Sequence, residues 1–303
     1  MRCSPASGGF INASEPVPRG TFVEHDGLRL AVLDWGGEGN EPLVLLHPTG
    51  FCAGLFHPLA ARLTDAFHPI GIDLPGHGAS DTPRDRRGFG FDRAASHVIT
   101  VLDVLGIDRC VILGESLGGG VGSLVDAQRP GLLRHLLLCE GIAFDPDRTR
   151  LFGDPERVGG GNYMADIARK RRAVWPDRAT VRAWYASRPP LDVLAPEALD
   201  AYLRWGFVDR PDGQVELACT PEEEATQFEI AAERHSAPAA GRHLAELSCT
   251  ATVLHGSRSN LPASWFAAQA EAVGTALVTV DGTHLFLQED TDRAEALVRE
   301  HLQ

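Results

Sequence analysis

No stretch of the 303-residue sequence approaches the roughly 20 consecutive apolar residues that a membrane-spanning helix needs. No membrane partner is therefore expected. The opening segment, MRCSPASGGFINASEPVPRG, lacks the apolar run of a secretion signal and reads as a flexible polar lead over residues 1–20. Positive charge is in deficit: 28 Lys and Arg stand against 41 Asp and Glu, a formal charge of −13. Binding a nucleic-acid backbone needs a clustered positive surface, so no nucleic-acid partner is expected. Cysteine is sparse. The six (Cys3, Cys52, Cys110, Cys139, Cys219 and Cys249) are scattered with no CxxC pair, which leaves neither a zinc site nor a disulfide framework. Reduced, structural thiols and a cytoplasmic location follow as expectations. There is no internal repeat and, past the lead, no low-complexity tract.

What remains has the composition of an ordinary globular protein, 44% hydrophobic and 23% charged, long enough to bury a sizeable core. From Thr21 the pattern becomes regular. FVEHDGLRLAVLDWG alternates like a hairpin with Asp26-Gly27 at its turn. Short continuous apolar runs, PLVLLHP, HPIGID, CVILGES and LLRHLLLCEG, read as buried strands, with helix-like stretches between them. Such alternation predicts an α/β fold with a mainly parallel sheet covered on both faces. The rhythm stops near Asp145 and returns with CTATVLHG, the helix SWFAAQAEAVG, the strand TALVTVDG and a last helix from about Thr291. The intervening text is charged, helical in pattern and rich in aromatics. The expected organisation is a core of residues 21–144 and 236–303 with a helical insertion over residues 145–235.

The strongest chemical motif is Gly114-Glu115-Ser116-Leu117-Gly118, which fits GxSxG and lies between a strand and a helix. A serine on a sharp, strained strand-to-helix turn stands above the sheet as a nucleophile, and flanking glycines relieve the crowding. The helix N-terminus then offers unpaired N–H groups to a developing oxyanion. Two further stretches accompany it, His47-Pro48-Thr49-Gly50 and Asp73-Leu74-Pro75-Gly76-His77-Gly78-Ala79-Ser80. With these motifs the chain from Thr21 onward resembles the α/β-hydrolase superfamily, in its lid-bearing form.

The resemblance implies a serine hydrolase with Ser116 as nucleophile and no metal or other cofactor. It implies that the first stretch is the oxyanion loop, so that the Leu117 N–H and that of Thr49 or Gly50 form the oxyanion hole. Pro48 replaces the usual glycine there. His47 and His77 are implied to be scaffold residues. The family's chain order is Ser, acid, His, with the histidine on the loop after the last strand. That order selects His284 in Val278-Thr279-Val280-Asp281-Gly282-Thr283-His284, and leaves His255, His235 and His243 as structural or surface residues.

The acid departs from the family pattern. Ser259, in His255-Gly256-Ser257-Arg258-Ser259-Asn260, occupies the usual carboxylate position, and no Asp or Glu occurs between Glu246 and Glu271. An imidazole base needs an anionic acceptor to hold its tautomer. Glu140, which ends the apolar run LLLC, is the expected substitute, as in superfamily members that supply the acid from an earlier strand. Asp281 and a weakened or absent acid are the other readings. The insertion resembles a lid, in which Trp184 and Trp205 are candidate substrate contacts and the run Arg169, Lys170, Arg171, Arg172 is either a solvated face or a carboxylate landing site.

These features lead to the expectation of a small-molecule ester or lactone substrate, cleaved through an acyl-enzyme with a Ser-His-Glu triad. Carbon–carbon bond hydrolysis and perhydrolysis use the same triad, and a receptor-like member with slow turnover is a further alternative. The oligomeric state is left open.

Overall fold

The computed structural model describes residues 17–145 and 162–302. Cys3, most of the expected lead and residues 146–161 of the expected insertion lie outside the described residues. The chain begins with a hairpin of β1 (Arg19–His25) and β2 (Leu28–Asp34). Its turn has φ of 50° at Asp26 and 74° at Gly27, the double left-handed geometry that matches strand twist and that an Asp-Gly pair favours. Then follow β3 (Glu41–Leu46), α1 (His57–Arg62), β4 (Phe67–Ile72), α2 (Phe91–Val104), β5 (Cys110–Glu115), α3 (Leu117–Gln128) and β6 (Leu133–Cys139).

The segment that interrupts the alternation carries α4 (Tyr163–Arg169), β7 (Val174–Trp175), α5 (Arg178–Tyr185), α6 (Pro196–Trp205), β8 (Phe207–Asp209), β9 (Val215–Leu217) and α7 (Pro221–Ala231). The chain ends with α8 (Ala237–His243), β10 (Thr250–Gly256), α9 (Ala263–Ala272), β11 (Leu277–Val280), α10 (Phe286–Glu289) and α11 (Thr291–Leu302).

Eight strands form one sheet in the order β1-β2-β4-β3-β5-β6-β10-β11. β2 runs antiparallel to both β1 and β4, and every pair from β4 to β11 is parallel. The inner strands are apolar without alternation because both faces are covered. In β3, Leu43 and Leu45 pack with Phe56, Leu59, Phe286 and Val298 on one face. Val44 and Leu46 pack with Phe91, Val98, Val121 and Phe266 on the other.

The insertion differs from the helical reading: β7, β9 and β8 form a three-stranded antiparallel sheet. Strands of two or three residues are too short to carry a period-2 signal, and tertiary packing alone sets their pairing. The helices there are locally encoded. α7 starts with a capping box between Thr220 and Glu223 with Pro221 in its first turn. The insertion's own core, including Trp175, Tyr185, Tyr202 and Phe207, also takes in Cys52, Leu55 and Leu285 from the α/β part, which seats it over the C-terminal ends of the strands. Among the described residues, no helix is long and apolar enough to cross a membrane.

Candidate active site

Ser116 sits between β5 and α3 with φ 52° and ψ −114°, a backbone region that non-glycine residues seldom adopt and that stores strain. Neighbouring glycines permit the turn by close approach. A Cβ on Gly118 would lie 2.0 Å from the Leu46 carbonyl oxygen, and one on Gly114 2.5 Å from that of Gly118. The turn is pinned to the exit of β6, for the Ser116 amide donates to the Cys139 carbonyl at 3.0 Å and its carbonyl accepts from the Ile142 amide at 2.8 Å.

Glu140, one residue past β6, is fully buried and also has a positive φ, 47°. Both its oxygens are used twice. Oε2 accepts from His284 Nδ1 at 2.6 Å and from Ser259 Oγ at 2.7 Å. Oε1 accepts from His255 Nδ1 and from the Gly256 amide, each at 2.8 Å. Burial alone would raise the Glu140 carboxyl, but the hydrogen bond and charge of His284, with Ser259 and the Gly256 amide, outweigh it and hold the pKa below the ordinary value. The structure therefore brings β6, the loop after β10 and the loop after β11 together on one carboxylate.

Asp281 points elsewhere: its side chain is 68% exposed and pairs with Arg258 and Arg293. Ser259, at the position where the family carries its acid, donates its hydroxyl to Glu140. His255, read from sequence as structural only, is bound to the other oxygen of Glu140 and stacked on Phe266 with centroids 5.1 Å apart. The signal that could have marked it is its position at the strand end one register step from Glu140, since β10 pairs Leu254 with Cys139.

On the other side of Ser116, His47 is buried and holds the loop after β3. Its Nδ1 donates to the Pro48 carbonyl and its Nε2 accepts from the Leu74 amide, both at 2.9 Å. Burial first, and then the neighbouring His77, push its pKa well below the usual imidazole value, so it stays neutral. Burial also lowers His77 to about 4. Asp73 accepts from the amides of Ala53 and Ala79 at 2.7 and 2.8 Å, which closes the scaffold turn. Among the described residues, the amides of Thr49, Gly50 and Leu117 have no protein acceptor, whereas that of Phe51 donates to the Pro48 carbonyl.

Glu115, beside Ser116, is buried with one oxygen accepting from Gln288 Nε2 at 2.8 Å. Burial raises its pKa to about 8, opposed by that hydrogen bond and reinforced by the charge of Glu140. The folded state keeps a proton that the unfolded chain, titrating at its ordinary 4.5, has already released. Stability attributable to this group is therefore full below about pH 4.5 and falls as pH rises toward about 8. Glu115→Gln keeps an amide oxygen facing Gln288 and is expected to melt several degrees above the wild type at pH 8, yet with it at pH 4.5. Thermal melts across that range check this.

The two tryptophans of the insertion, Trp184 and Trp205, behave differently. Trp205 packs against the core just after the His47–Gly50 loop, its ring tilted against His57 with centroids 5.0 Å apart and so close to Gly54 that a Cβ there would lie 2.4 Å from it. Trp184 is 45% exposed, and its ring meets Trp175 and the Arg188 guanidinium. Of the two, Trp205 is the one packed against the α/β core. Trp205→Ala is expected to cost about 2 kcal/mol of stability and to alter preference across a substrate panel. Trp184→Ala should do neither, as melts and panel rates would show.

Three residues of the basic run have partners within the chain. Arg169 pairs with Glu222 and Glu229, Arg171 with Glu224, and Arg172 lies over Trp175. Lys170, in the same run, is exposed.

The model of the alpha/beta hydrolase family matches residues 43–300, and the chain belongs to that family, which supports hydrolase activity. A serine hydrolase-like protein of Danio rerio is 30% identical over 190 residues, covering 60% of this chain and 58% of that one. The chain spans about half the length of the first curated relatives it matches. Among solved structures, E-2-(acetamidomethylene)succinate hydrolase superposes with a TM-score of 0.75 at 19% identity, covering 93% of this chain and 98% of that one. An N-acyl homoserine lactone degrading enzyme superposes with a TM-score of 0.67 at 20% identity, covering 93% of this chain and all of the other. Both likenesses are of fold.

Proposed function

We propose that this chain hydrolyses a carboxylic ester or lactone through an acyl-enzyme, with Ser116 as nucleophile, His284 as base and Glu140 as the acid that orients it. The observation that carries the reading is the 2.6 Å contact between His284 Nδ1 and a fully buried Glu140. A buried carboxylate costs several kcal/mol unless paired, and here every donor around it either is His284 or fixes its direction. With Nδ1–H held by Glu140, His284 Nε2 is the acceptor for the Ser116 proton.

Ser116 Oγ then attacks the carbonyl carbon, and the negative charge that develops on the carbonyl oxygen is met by the Leu117 N–H and that of Thr49 or Gly50. Imidazolium returns the proton to the leaving alkoxide, which departs from an ester but stays tethered in a lactone. Water repeats the sequence to free the enzyme. The serine at position 116 supports acyl transfer, and the resemblance to a lactone-degrading fold neighbour supports including lactones. Five free cysteines among the described residues support a cytoplasmic setting.

Reaction with a fluorophosphonate probe, followed by peptide mapping, tests the nucleophile, and a panel of esters and lactones of varied acyl length tests the substrate class. Labelling is expected at Ser116 alone. An unlabelled Ser116 in folded protein would overturn the proposal.

A further inference from the structure

Four elements of the insertion converge on one carbonyl of the oxyanion loop. The Tyr202 hydroxyl, on α6, donates to the Gly50 carbonyl at 3.1 Å. Arg171, just after α4, donates through Nη2 to that same hydroxyl at 3.0 Å and to Tyr185, on α5, at 3.3 Å. Its Nη1 forms an ion pair with Glu224 on α7. Tyr202 and Glu224 are both buried, and the pair lies directly over the loop. A Cβ on Gly50 would be 2.8 Å from the Glu224 carboxyl and 3.1 Å from Arg171 Nη1. Gly50 is thus required twice, by its φ of +80° and by the side chains that cover it.

The chemistry of the loop gives this convergence a purpose. Peptide planarity ties each carbonyl to the following N–H. On the core side, His47 holds the Pro48 carbonyl and so aims the Thr49 amide. On the lid side, the Gly50 carbonyl shares its peptide plane with the Phe51 amide, which donates to the Pro48 carbonyl. Tyr202, the one donor to the Gly50 carbonyl among the described residues, braces this closing peptide of the turn that carries the Thr49 and Gly50 amides. A hydroxyl that receives a hydrogen bond from a guanidinium is polarised to donate more strongly.

We infer that Tyr202 and Arg171 are positioning residues that set the oxyanion loop through the Gly50 carbonyl, so that the lid is part of the oxyanion hole. The inference rests on acyl transfer at Ser116. The buried ion pair acts here through geometry, since its net contribution to stability is small.

Tyr202→Phe tests this, because it removes one hydroxyl and keeps the ring against Phe51 and Phe207. Removing an oxyanion donor outright costs about 10²–10³ in kcat, so misaiming one is expected to cost about 10–100-fold, with KM for a small activated ester within twofold. The affinity for a trifluoromethyl ketone, which forms a tetrahedral oxyanion on the serine, should weaken by the same factor as kcat. A role confined to packing would lower the melting temperature without that parallel loss. Values of kcat and ketone affinity within twofold of wild type would overturn the inference. So would a fall in kcat that the ketone does not follow. If Tyr202→Phe does not fold, Glu224→Gln, which loosens Arg171 while keeping shape, is read by the same two outcomes. Wild-type protein inert to both fluorophosphonate and ketone would instead reject acyl transfer itself, a result distinct from any ratio between variants.

Discussion

Ser116→Ala is expected to lower kcat by about 10⁶-fold while leaving the melting temperature at or above that of the wild type. The size follows from a triad acting as a unit, in which loss of the nucleophile costs about as much as loss of all members. What survives is the contribution of the oxyanion hole and substrate binding. The fold should tolerate the change, because the turn is held by backbone bonds to Cys139 and Ile142 and not by the hydroxyl. Steady-state rates on the best ester or lactone, together with thermal melts, measure both halves. Activity near the wild-type value would place the nucleophile elsewhere.

Glu140→Gln is expected to lower kcat by about 10⁴-fold, or about 5 kcal/mol of barrier. An amide in the same place offers His284 either a neutral acceptor or a donor. In the second case the imidazole adopts the tautomer that cannot take the serine proton. The other contacts sharpen the expectation. Ser259, His255 and the Gly256 amide all donate to this side chain, so an amide nitrogen at either oxygen position breaks or reverses at least one of these hydrogen bonds. Asp281→Asn is the paired control, and its solvent-facing contacts with Arg258 and Arg293 predict a change of no more than about twofold. Ser259→Asp in the Glu140→Gln background restores a carboxylate at the family's usual position and is expected to recover part of the rate. Near-full kcat in Glu140→Gln alongside collapse in Asp281→Asn would move the acid to the last loop.

The elements legible in the sequence are those whose signal is local. Both faces of β3, β5 and β6 are buried, so these strands read as unbroken apolar runs, and the Asp26-Gly27 turn announces the hairpin. Ser116 is legible because the glycines that its crowded turn requires flank it in sequence, as Gly114 and Gly118. Glu140 is legible by contrast, a charge ending a run that otherwise has none. The rest depends on residues far apart in sequence. His255 and Ser259 meet Glu140 across more than a hundred residues, and nothing local to HGSRS marks them as donors to one carboxylate. The small sheet of β7, β8 and β9 is assembled by tertiary contact. Tyr202 and Gly50 are separated by 152 positions, and an aromatic in an amphipathic helix carries no sign that its hydroxyl serves a loop.

The backbone at Ser116 has a consequence for anyone engineering the protein. Asp26 also has a positive φ, but it sits in a hairpin turn that tolerates aspartate. Ser116 adopts a far less hospitable conformation, at a cost of about 1–3 kcal/mol, which glycine would not incur. A directed-evolution campaign scored on heat resistance alone would therefore be drawn to glycine at position 116. It would deliver a hardier protein stripped of the hydroxyl proposed as its nucleophile, so any such screen has to select for turnover alongside heat resistance.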